Sequence, residues 1–388
     1  MNPPSKRRTP LYLFASAGAA ALVLAGCSAP AGTDDGADPS ASAPSGDLCE
    51  GSAAVDLVDQ VKDMSPEERE SFLAEQAAAT KGGAIDFYTE INDPDPIVEA
   101  FQDKYDGTTV NVYRAGSDQI RQRVLEESAA HFSGADLIEM DSLEMAILDE
   151  ENLLAPATSS HADELSDAAT AFDNFIGDRL SYIVPVWNTD LLPADQAPTS
   201  LEDLADARFK GKLALEGSDV YWFAGLVMYM EREEGKTEEE AVQVFKDIAA
   251  NSAVTSGHTT TTELVVAGQY AIAANNYIHR AVELAGKGAP VGYLPVQVPV
   301  VAEITGVATA CLSDNPAGAL LLQDFILSED GQQLFVEQDR TPANAELAAQ
   351  TLNGQDVEPV EVDVEAIAHD YQKWSDLWDT VIREGNAG

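Results

Sequence analysis

The stretch that most constrains the fold covers residues 83–117, because its pattern predicts a strand, a helix and a second strand in direct succession. An apolar and aromatic run at 85–89 is typical of a buried parallel strand, and turn-forming residues follow it. The helix carries Ile97 and Phe101 four positions apart on one face, and the second strand is predicted at 108–113. Such a unit belongs to an α/β sheet, whose ligands bind at the carboxyl ends of its strands.

Polar residues follow each predicted strand, which places candidate ligand-binding groups at one edge of the sheet. In the first part of the chain, Ser117 is predicted to cap the helix after the second strand, and Asp141 follows a third strand at 136–140. Three later strands, at 212–215, 253–255 and 271–274, end in the same way. The candidate binding residues are Thr89, Glu90, Ser117, Asp141, Ser218, Thr259, Thr260, Asn276 and Tyr277.

Length and two interrupted apolar runs predict two lobes. The chain after residue 48 is too long for one small core. Apolar runs that contain prolines, at 180–187 and 296–310, predict the two strands that cross between lobes and act as a hinge. The predicted parts are an N-terminal helical segment at 49–83, lobe 1 at 84–185 and 301–388, and lobe 2 at 186–300.

The N-terminus predicts an exported lipoprotein. Three basic residues precede an apolar run at 11–24, which is too short to span a bilayer as a mature helix and suits the core of a signal peptide. The run ends at Leu24-Ala25-Gly26-Cys27, which has the form of a lipobox with Cys27 as the lipid acceptor. Residues 1–26 are therefore predicted as the signal peptide and 27–48 as a flexible tether to the membrane. The alternative is a signal peptide cut elsewhere or an uncleaved anchor.

The net charge of −45 excludes nucleic acid and anionic membrane surfaces as partners. Because the charge is spread along the chain, a solvated acidic surface is favoured over a polycation-binding role.

Cysteine use predicts one disulfide. With Cys27 consumed by lipid, Cys49 and Cys311 remain as a pair in an exported, oxidising setting. Two free buried thiols are the alternative.

Catalytic motifs are absent from the sequence. It contains no G-x-S-x-G, no H-E-x-x-H, no phosphate-binding G-x-x-x-x-G-K-[ST] and no cysteine pair at metal spacing. The histidines show no close spacing, so a structural zinc site is not predicted. His258 and His279 are expected at the surface or in the core, with a place beside the cleft as the alternative.

Several segments resemble one family. AIDFYTE, FQDKYDG, VNVYRAGS and SGADLIEMD, followed by VPVWNTDLLPADQAPTSLEDLADARFKGKLAL and ELVVAGQYAIAANNY, resemble the extracellular solute-binding proteins of ferric-iron-type ABC importers. The likeness covers roughly residues 65–345, and Arg208-Phe209-Lys210-Gly211-Lys212 is its most specific part. It implies a two-lobed periplasmic-binding-protein fold of type II, no enzymatic activity and no cofactor. It also implies an extracytoplasmic monomer that serves an ABC permease and its ATPase.

The same resemblance implies two ligand classes. Ferric-iron binders of the family place adjacent tyrosines at the position of Tyr277-Ile278, an acidic residue at Asp141 and often a histidine near Asn92, so if the ligand is ferric iron, Asp141 and Tyr277 are its matching ligands, whereas Ile278 replaces the second tyrosine and Asn92 stands where the histidine would be. Ferric iron is a hard cation that needs several oxygen ligands. Other relatives bind phosphonates, phosphate esters, thiamine or polyamines, and hydroxyls beside helix N-termini favour an oxyanion. The predicted ligand is a small oxyanion-bearing organic solute, phosphonate-like, or ferric iron. An exported hydrolase or a surface adhesin is the alternative function.

Overall fold

The computed structural model describes residues 48–293, 299–348 and 359–385. The predicted signal peptide, the lipid acceptor Cys27 and all but the last residue of the predicted tether lie outside them. Within the described residues, no helix is both long enough and apolar enough to cross a membrane.

The described chain alternates strands and helices. The strands are β1 (Ala84–Thr89), β2 (Thr109–Arg114), β3 (Leu137–Asp141), β4 (Ile176–Asn188), β5 (Leu213–Glu216), β6 (Ser252–Thr255), β7 (Ile272–Tyr277), β8 (Val291–Gly292), β9 (Val301–Thr309) and β10 (Thr341–Pro342). The helices are α1 (Ala53–Val61), α2 (Pro66–Ala79), α3 (Asp95–Lys104), α4 (Ser117–Ala129), α5 (Ser142–Glu150), α6 (Val220–Glu234), α7 (Glu238–Asn251), α8 (His258–Val266), α9 (Ile278–Gly286), α10 (Pro316–Leu327), α11 (Glu329–Glu337), α12 (Ala345–Ala348), α13 (Val364–His369) and α14 (Tyr371–Gly385).

The strands form one curled sheet in the order β2-β1-β3-β9-β4-β7-β5-β6. At one end β1 pairs in parallel with β2 and β3, and at the other end β5 pairs in parallel with β6 and β7. We call these two groups, with the helices that cover them, the first and second halves of the molecule. The predicted α/β class and two-lobed fold are confirmed.

The two halves are joined by the antiparallel strands β4 and β9. Strand β9 pairs with β3 on one side and with β4 on the other. Strand β4 then continues past β9 and pairs with β7, from Ile183 opposite Tyr277 to Trp187 opposite Ile272. These strands coincide with the apolar runs predicted as crossings, although residues 296–298 of the second run lie outside the described part of the chain.

Helices cover both faces of each half. In the first half one apolar cluster includes Leu73 of α2, Phe101 of α3 and Phe325 of α10, and a second cluster on the other face includes Ile120 of α4. In the second half, α6 and α7 pack on one face and α8 and α9 on the other. This layering leaves the carboxyl ends of the parallel strands free of helices, so these ends are where a ligand can reach the sheet.

The N-terminal segment is fixed to the first half. Ser65 and Glu68 form a reciprocal capping box at the start of α2, within the segment at 49–83 that was predicted to be helical. Cys49 and Cys311 form a disulfide with a Cα–Cα distance of 5.0 Å. This bond attaches the chain ahead of α1 to the residues that follow β9.

The last helices pack differently from the predicted placement of residues 301–388 in lobe 1. Helix α13 lies against α5 of the first half, but α14 packs against α6 and α7 of the second half. Helix α14 packs there because its tryptophan is buried against an apolar helix. Trp378 of α14 is only 1% exposed and stacks on Phe223 of α6, with ring centroids 4.8 Å apart. The other predicted lobe boundaries remain predictions.

Candidate functional site

A cavity of about 410 Å³ lies where strands from both halves end. From the first half it receives residues that follow β1, β2 and β3, and from the second half residues that follow β5, β6 and β7. The crossing strands supply Ser181 and Glu303 to its wall. Both halves and both crossings therefore contribute to one cleft.

Of the predicted binding residues, the cleft is lined by Glu90, Ser117, Asp141, Ser218, Thr259, Thr260 and Tyr277. Thr89 and Asn276 are fully buried and lie outside the lining. The Thr89 hydroxyl donates to Glu139, and the Asn276 side chain accepts a 2.7 Å hydrogen bond from the hydroxyl of Thr262. These two residues support the strand ends behind the cleft and do not face it.

On the first half, Asp141 is held by two hydroxyls. The Ser117 hydroxyl donates to Asp141 Oδ2 at 2.9 Å, and the Thr305 hydroxyl donates to Oδ1 at 3.2 Å. Ser117 is the first residue of α4 and Gly116 occupies the capping position, so the predicted capping role of Ser117 is wrong. Its side chain points instead to the end of β3, where its hydrogen bond fixes the position of the Asp141 carboxylate at the carboxyl end of the strand.

On the second half, Tyr277 lies between two histidine rings. Its ring centroid is 4.1 Å from that of His258 and 5.4 Å from that of His279, with nearly parallel planes. The Tyr277 hydroxyl donates a 2.7 Å hydrogen bond to Glu303 on β9. Both histidines line the cleft, so the expectation of surface or core positions is wrong for them. Their packing depends on Tyr277, a contact that spacing along the chain does not reveal.

Asp219 organises the start of α6. Its carboxylate accepts hydrogen bonds from the Trp222 amide at 3.1 Å, the Asn275 side chain at 2.9 Å and His258 Nε2 at 3.3 Å. Burial lowers the pKa of His258, but the hydrogen bond and charge of Asp219 outweigh burial, and the pKa is raised above its usual value. Asp219 and His258 therefore form an ion pair at the cleft wall.

Behind the cleft, one guanidinium holds three carboxylates. Arg179 of β4, 1% exposed, forms ion pairs with Glu90, Glu139 and Asp178. The pair with Glu90 fixes this lining residue against the crossing strand. Loss of these partners would leave a buried, unpaired arginine and would strongly destabilise the folded protein. The cluster therefore holds this part of the cleft wall in place.

The cleft is acidic. Six carboxylates line it: Glu90, Asp118, Asp141, Glu144, Asp219 and Glu303. Three of these pair with Arg179, Arg121 or His258. Within the described chain no cation lies at ion-pair distance from the remaining three, which are Asp141, Glu144 and Glu303.

The unpaired carboxylates have raised pKa values. Burial, reinforced by Glu90, raises the pKa of Asp141 well above its usual value. Burial and the charge of Asp118 raise the pKa of Glu144 to about 8, and burial with Asp141 raises the pKa of Glu303 well above its usual value. Each carboxylate thus favours a proton when no cation is beside it.

The candidate iron ligands do not form a ferric site in this arrangement. Among the residues that the structure describes, no group of three or more His, Cys, Asp or Glu side chains is placed to hold a metal ion. Burial, with the charge of Asp141, raises the pKa of Tyr277 well above its usual value. Ferric iron needs several oxygen ligands, and Asp141 and Tyr277 supply only two side chains. The donor set therefore does not fit ferric iron.

The sequence did not identify Glu144, Asp219, Tyr221 or Glu303 as lining residues. One signal was available for Asp219, which precedes the apolar helix α6 as an N-cap. Another was available for Glu303, an isolated carboxylate within the apolar strand β9. Neither signal shows that the side chain faces a cleft.

Known proteins give the following likenesses. A family model described as bacterial extracellular solute-binding protein matches residues 96–365. The fold is similar to that of iron-bound HitA from Pseudomonas aeruginosa, at 20% identity and a TM-score of 0.61 over 77% of this chain and 99% of that chain. It is also similar to AfuA from Actinobacillus pleuropneumoniae with fructose-6-phosphate bound, at 19% identity and a TM-score of 0.68 over 78% and 99% of the two chains. It is similar as well to the ferric binding protein from Campylobacter jejuni, at 20% identity and a TM-score of 0.64 over 76% of this chain and 99% of that chain. No curated protein sequence matches this chain.

Proposed function

The chain belongs to the family of bacterial extracellular solute-binding proteins, and on this premise we propose that it captures a small solute in the cleft between its halves. It delivers this solute to an ABC permease and its ATPase, and a lipid on Cys27 holds it at the outer face of the cell membrane. The family serves ABC importers and does not consist of enzymes, so the hydrolase alternative is rejected.

The observation that carries the proposal is the shared lining of the cleft. Ser117 and Asp141 come from the first half, Ser218 and Tyr277 come from the second half, and Glu303 comes from a crossing strand. A solute that contacts all of them brings the halves together about β4 and β9, and closure of this kind distinguishes loaded from empty protein.

The membrane anchor is supported by the leader sequence. Basic residues, an apolar run and Leu24-Ala25-Gly26-Cys27 occur in the order that a lipoprotein signal requires. Replacement of Cys27 by alanine should release unprocessed or soluble protein that takes up no acyl label. Acyl label retained by this variant would exclude Cys27 as the acceptor.

The two predicted ligand classes are supported unequally. Arg340 and the N-termini of α4 and α8 at the cleft favour an oxyanion, the first predicted class. Ferric iron, the second class, lacks a fitting donor set. The excess of carboxylates opposes an anion that carries no cationic group.

A thermal-shift screen tests solute binding. A ligand bound only by the folded protein stabilises it by about 2.7 kcal/mol at one hundred times its Kd. We expect one solute among ferric salts, phosphonates, sugar phosphates, thiamine and polyamines to raise the melting temperature of the mature protein. Solute uptake lost on deletion of this protein and restored by the wild-type chain would then establish delivery.

A further inference from the structure

Three carboxylates of the cleft have no cation at ion-pair distance among the residues that the structure describes. Asp141 ends β3, Glu144 lies in the first turn of α5, and Glu303 is on the crossing strand β9. They come from three separate elements yet line one cavity. Glu303 is buried, and Asp141 and Glu144 are half-buried. A carboxylate that is removed from water without a cation costs stability, and a cationic ligand would offset this cost.

Glu303 is the most enclosed of the three. It is 5% exposed and lines the cavity, and among the described residues only the Tyr277 hydroxyl donates to it, at Oε2. Its other oxygen, Oε1, remains able to accept from a ligand. A carboxylate with this degree of burial and an open acceptor faces a donor group of a ligand more readily than bulk water.

The guanidinium of Arg340 does not reverse the charge of the cleft. It lies near Arg179, and burial together with that like charge lowers its pKa. The negative charges of Glu90, Glu139 and Asp178 act in the opposite direction and raise the pKa of both Arg340 and Arg179. At this end of the cleft three carboxylates therefore face two cations, and Arg114, which donates to the Glu90 carbonyl and the Asn92 side chain, adds a third cation to the lining. A ligand that carries a cationic group can meet the carboxylates while any anionic group that it has meets the arginines.

Aromatic rings complete the lining. Tyr221 and Tyr371 face the cavity together with Tyr277 and the two histidines that flank it. Arg121 already lies over the ring of Tyr371, 4.8 Å from its centroid, so a cation packs against an aromatic face at this wall of the cleft. The carboxylates do not converge on a point that could hold a metal ion, so they suit separate N–H groups of one larger molecule.

We propose that the cleft takes an organic cation whose N–H groups are bound by the carboxylates of Asp141, Glu144 and Glu303. This inference rests on the proposed function, because it names the solute class of the same site. A cationic solute supplies the positive charge that these three carboxylates lack among the described residues. A zwitterion falls in the same class if its cationic group lies against these carboxylates.

Three sets of probes decide the ligand class by thermal shift and isothermal titration at pH 7.5. The first contains spermidine, agmatine and lysine, the second fructose 6-phosphate, methylphosphonate and inorganic phosphate, and the third ferric citrate. We expect stabilisation from the first set. Stabilisation confined to the second or third set would overturn the cationic class but leave solute binding intact. No stabilisation in any set would count against the proposed function itself.

Two isosteric variants test the carboxylates with the strongest probe of the first set. Glu303→Gln and Glu144→Gln keep the shape and remove the charge, so each should weaken binding by about 10- to 100-fold. Glu75→Gln, at an exposed position of α2, is the matched control and should leave the affinity unchanged. The melting temperatures of both cleft variants without ligand should equal or exceed that of the parent, because an unpaired carboxylate is removed. Unchanged affinity in both cleft variants would overturn the proposal.

Discussion

The hydroxyl of Tyr277 donates a 2.7 Å hydrogen bond to Oε2 of Glu303 and so joins the end of β7 to the crossing strand β9. Tyr277 also pairs with Ile183 of the other crossing strand, β4. One residue of the second half is thus bound to both crossing strands. Under the proposed closure about β4 and β9, a ligand that contacts Tyr277 would act directly on the hinge.

Replacement of Tyr277 by phenylalanine should weaken solute binding by about 1–3 kcal/mol. The change removes one hydroxyl, and Glu303 loses the donor that keeps its pKa from rising further. The melting temperature of the empty protein should change little, since Glu303 can take up a proton instead. Isothermal titration of parent and variant measures the effect. Tyr229→Phe, on α6 and outside the cleft, is the control, and equal affinities for parent and Tyr277→Phe would remove Tyr277 from the site.

The stability of the empty protein should fall as the pH rises from about 5 to 8. The pKa of Glu144 is raised from 4.5 to about 8 in the folded state, so the folded chain binds more protons than the unfolded chain between these values. The free energy of unfolding therefore decreases with pH in this window, and Asp141 and Glu303 act in the same direction. The charged groups that face Glu144 are Asp118, Arg121 and Glu90.

Urea unfolding at several pH values, with parent and Glu144→Gln in parallel, isolates this contribution. The variant should show the shallower decline, because glutamine does not titrate. Curves of equal slope would show that Glu144 titrates at its ordinary pKa.

Ligand addition should reduce the radius of gyration in small-angle scattering, because the halves close about β4 and β9. The measurement compares mature protein alone and with saturating ligand. The Glu303→Gln variant binds more weakly, so a ligand concentration can be chosen that saturates the parent but lies below the Kd of the variant. At this concentration the variant should keep the larger radius. A radius that stays constant for the parent at saturation would exclude hinge closure.

Loss of the disulfide should lower the free energy of unfolding by about 2–4 kcal/mol. Cys49 and Cys311 are 262 residues apart in sequence, so the bond closes a long loop and restricts the unfolded chain. Denaturation of the Cys49→Ser, Cys311→Ser double variant measures the loss. Mass spectrometry of alkylated, unreduced protein is the companion test, and alkylation of both cysteines would show that the bond is absent from the mature protein.

The local sequence pattern was sufficient to predict the first two strands of the sheet. The strands predicted at 85–89 and 108–113 lie within one residue of β1 and β2, because an apolar run bounded by turn residues reports a buried strand directly. The packing of α14 on the second half was not predictable, since its tryptophans show an apolar face but not the face that they meet.

The character of the cleft could be predicted only in part. Serine and threonine hydroxyls at strand ends pointed to an oxyanion, and Ser117 does lie in the cleft. Its hydroxyl, however, donates to Asp141. The acidity of the site arises from Glu144 and Glu303, which lie within a helix and a strand and whose orientation is set by contacts across the whole chain.

The packing of the last two helices determines how the chain ends move. Cys49 is bonded to the first half through Cys311, whereas α14 at the other end of the described chain rests on α6 and α7 of the second half. With the N-terminal side held at the membrane by the proposed lipid anchor, the first half would be the stationary part and the second half the moving part. The end of α14 would then travel with the moving part, and a fluorophore attached to this helix would report each capture of solute as a change in its distance from one near Cys49.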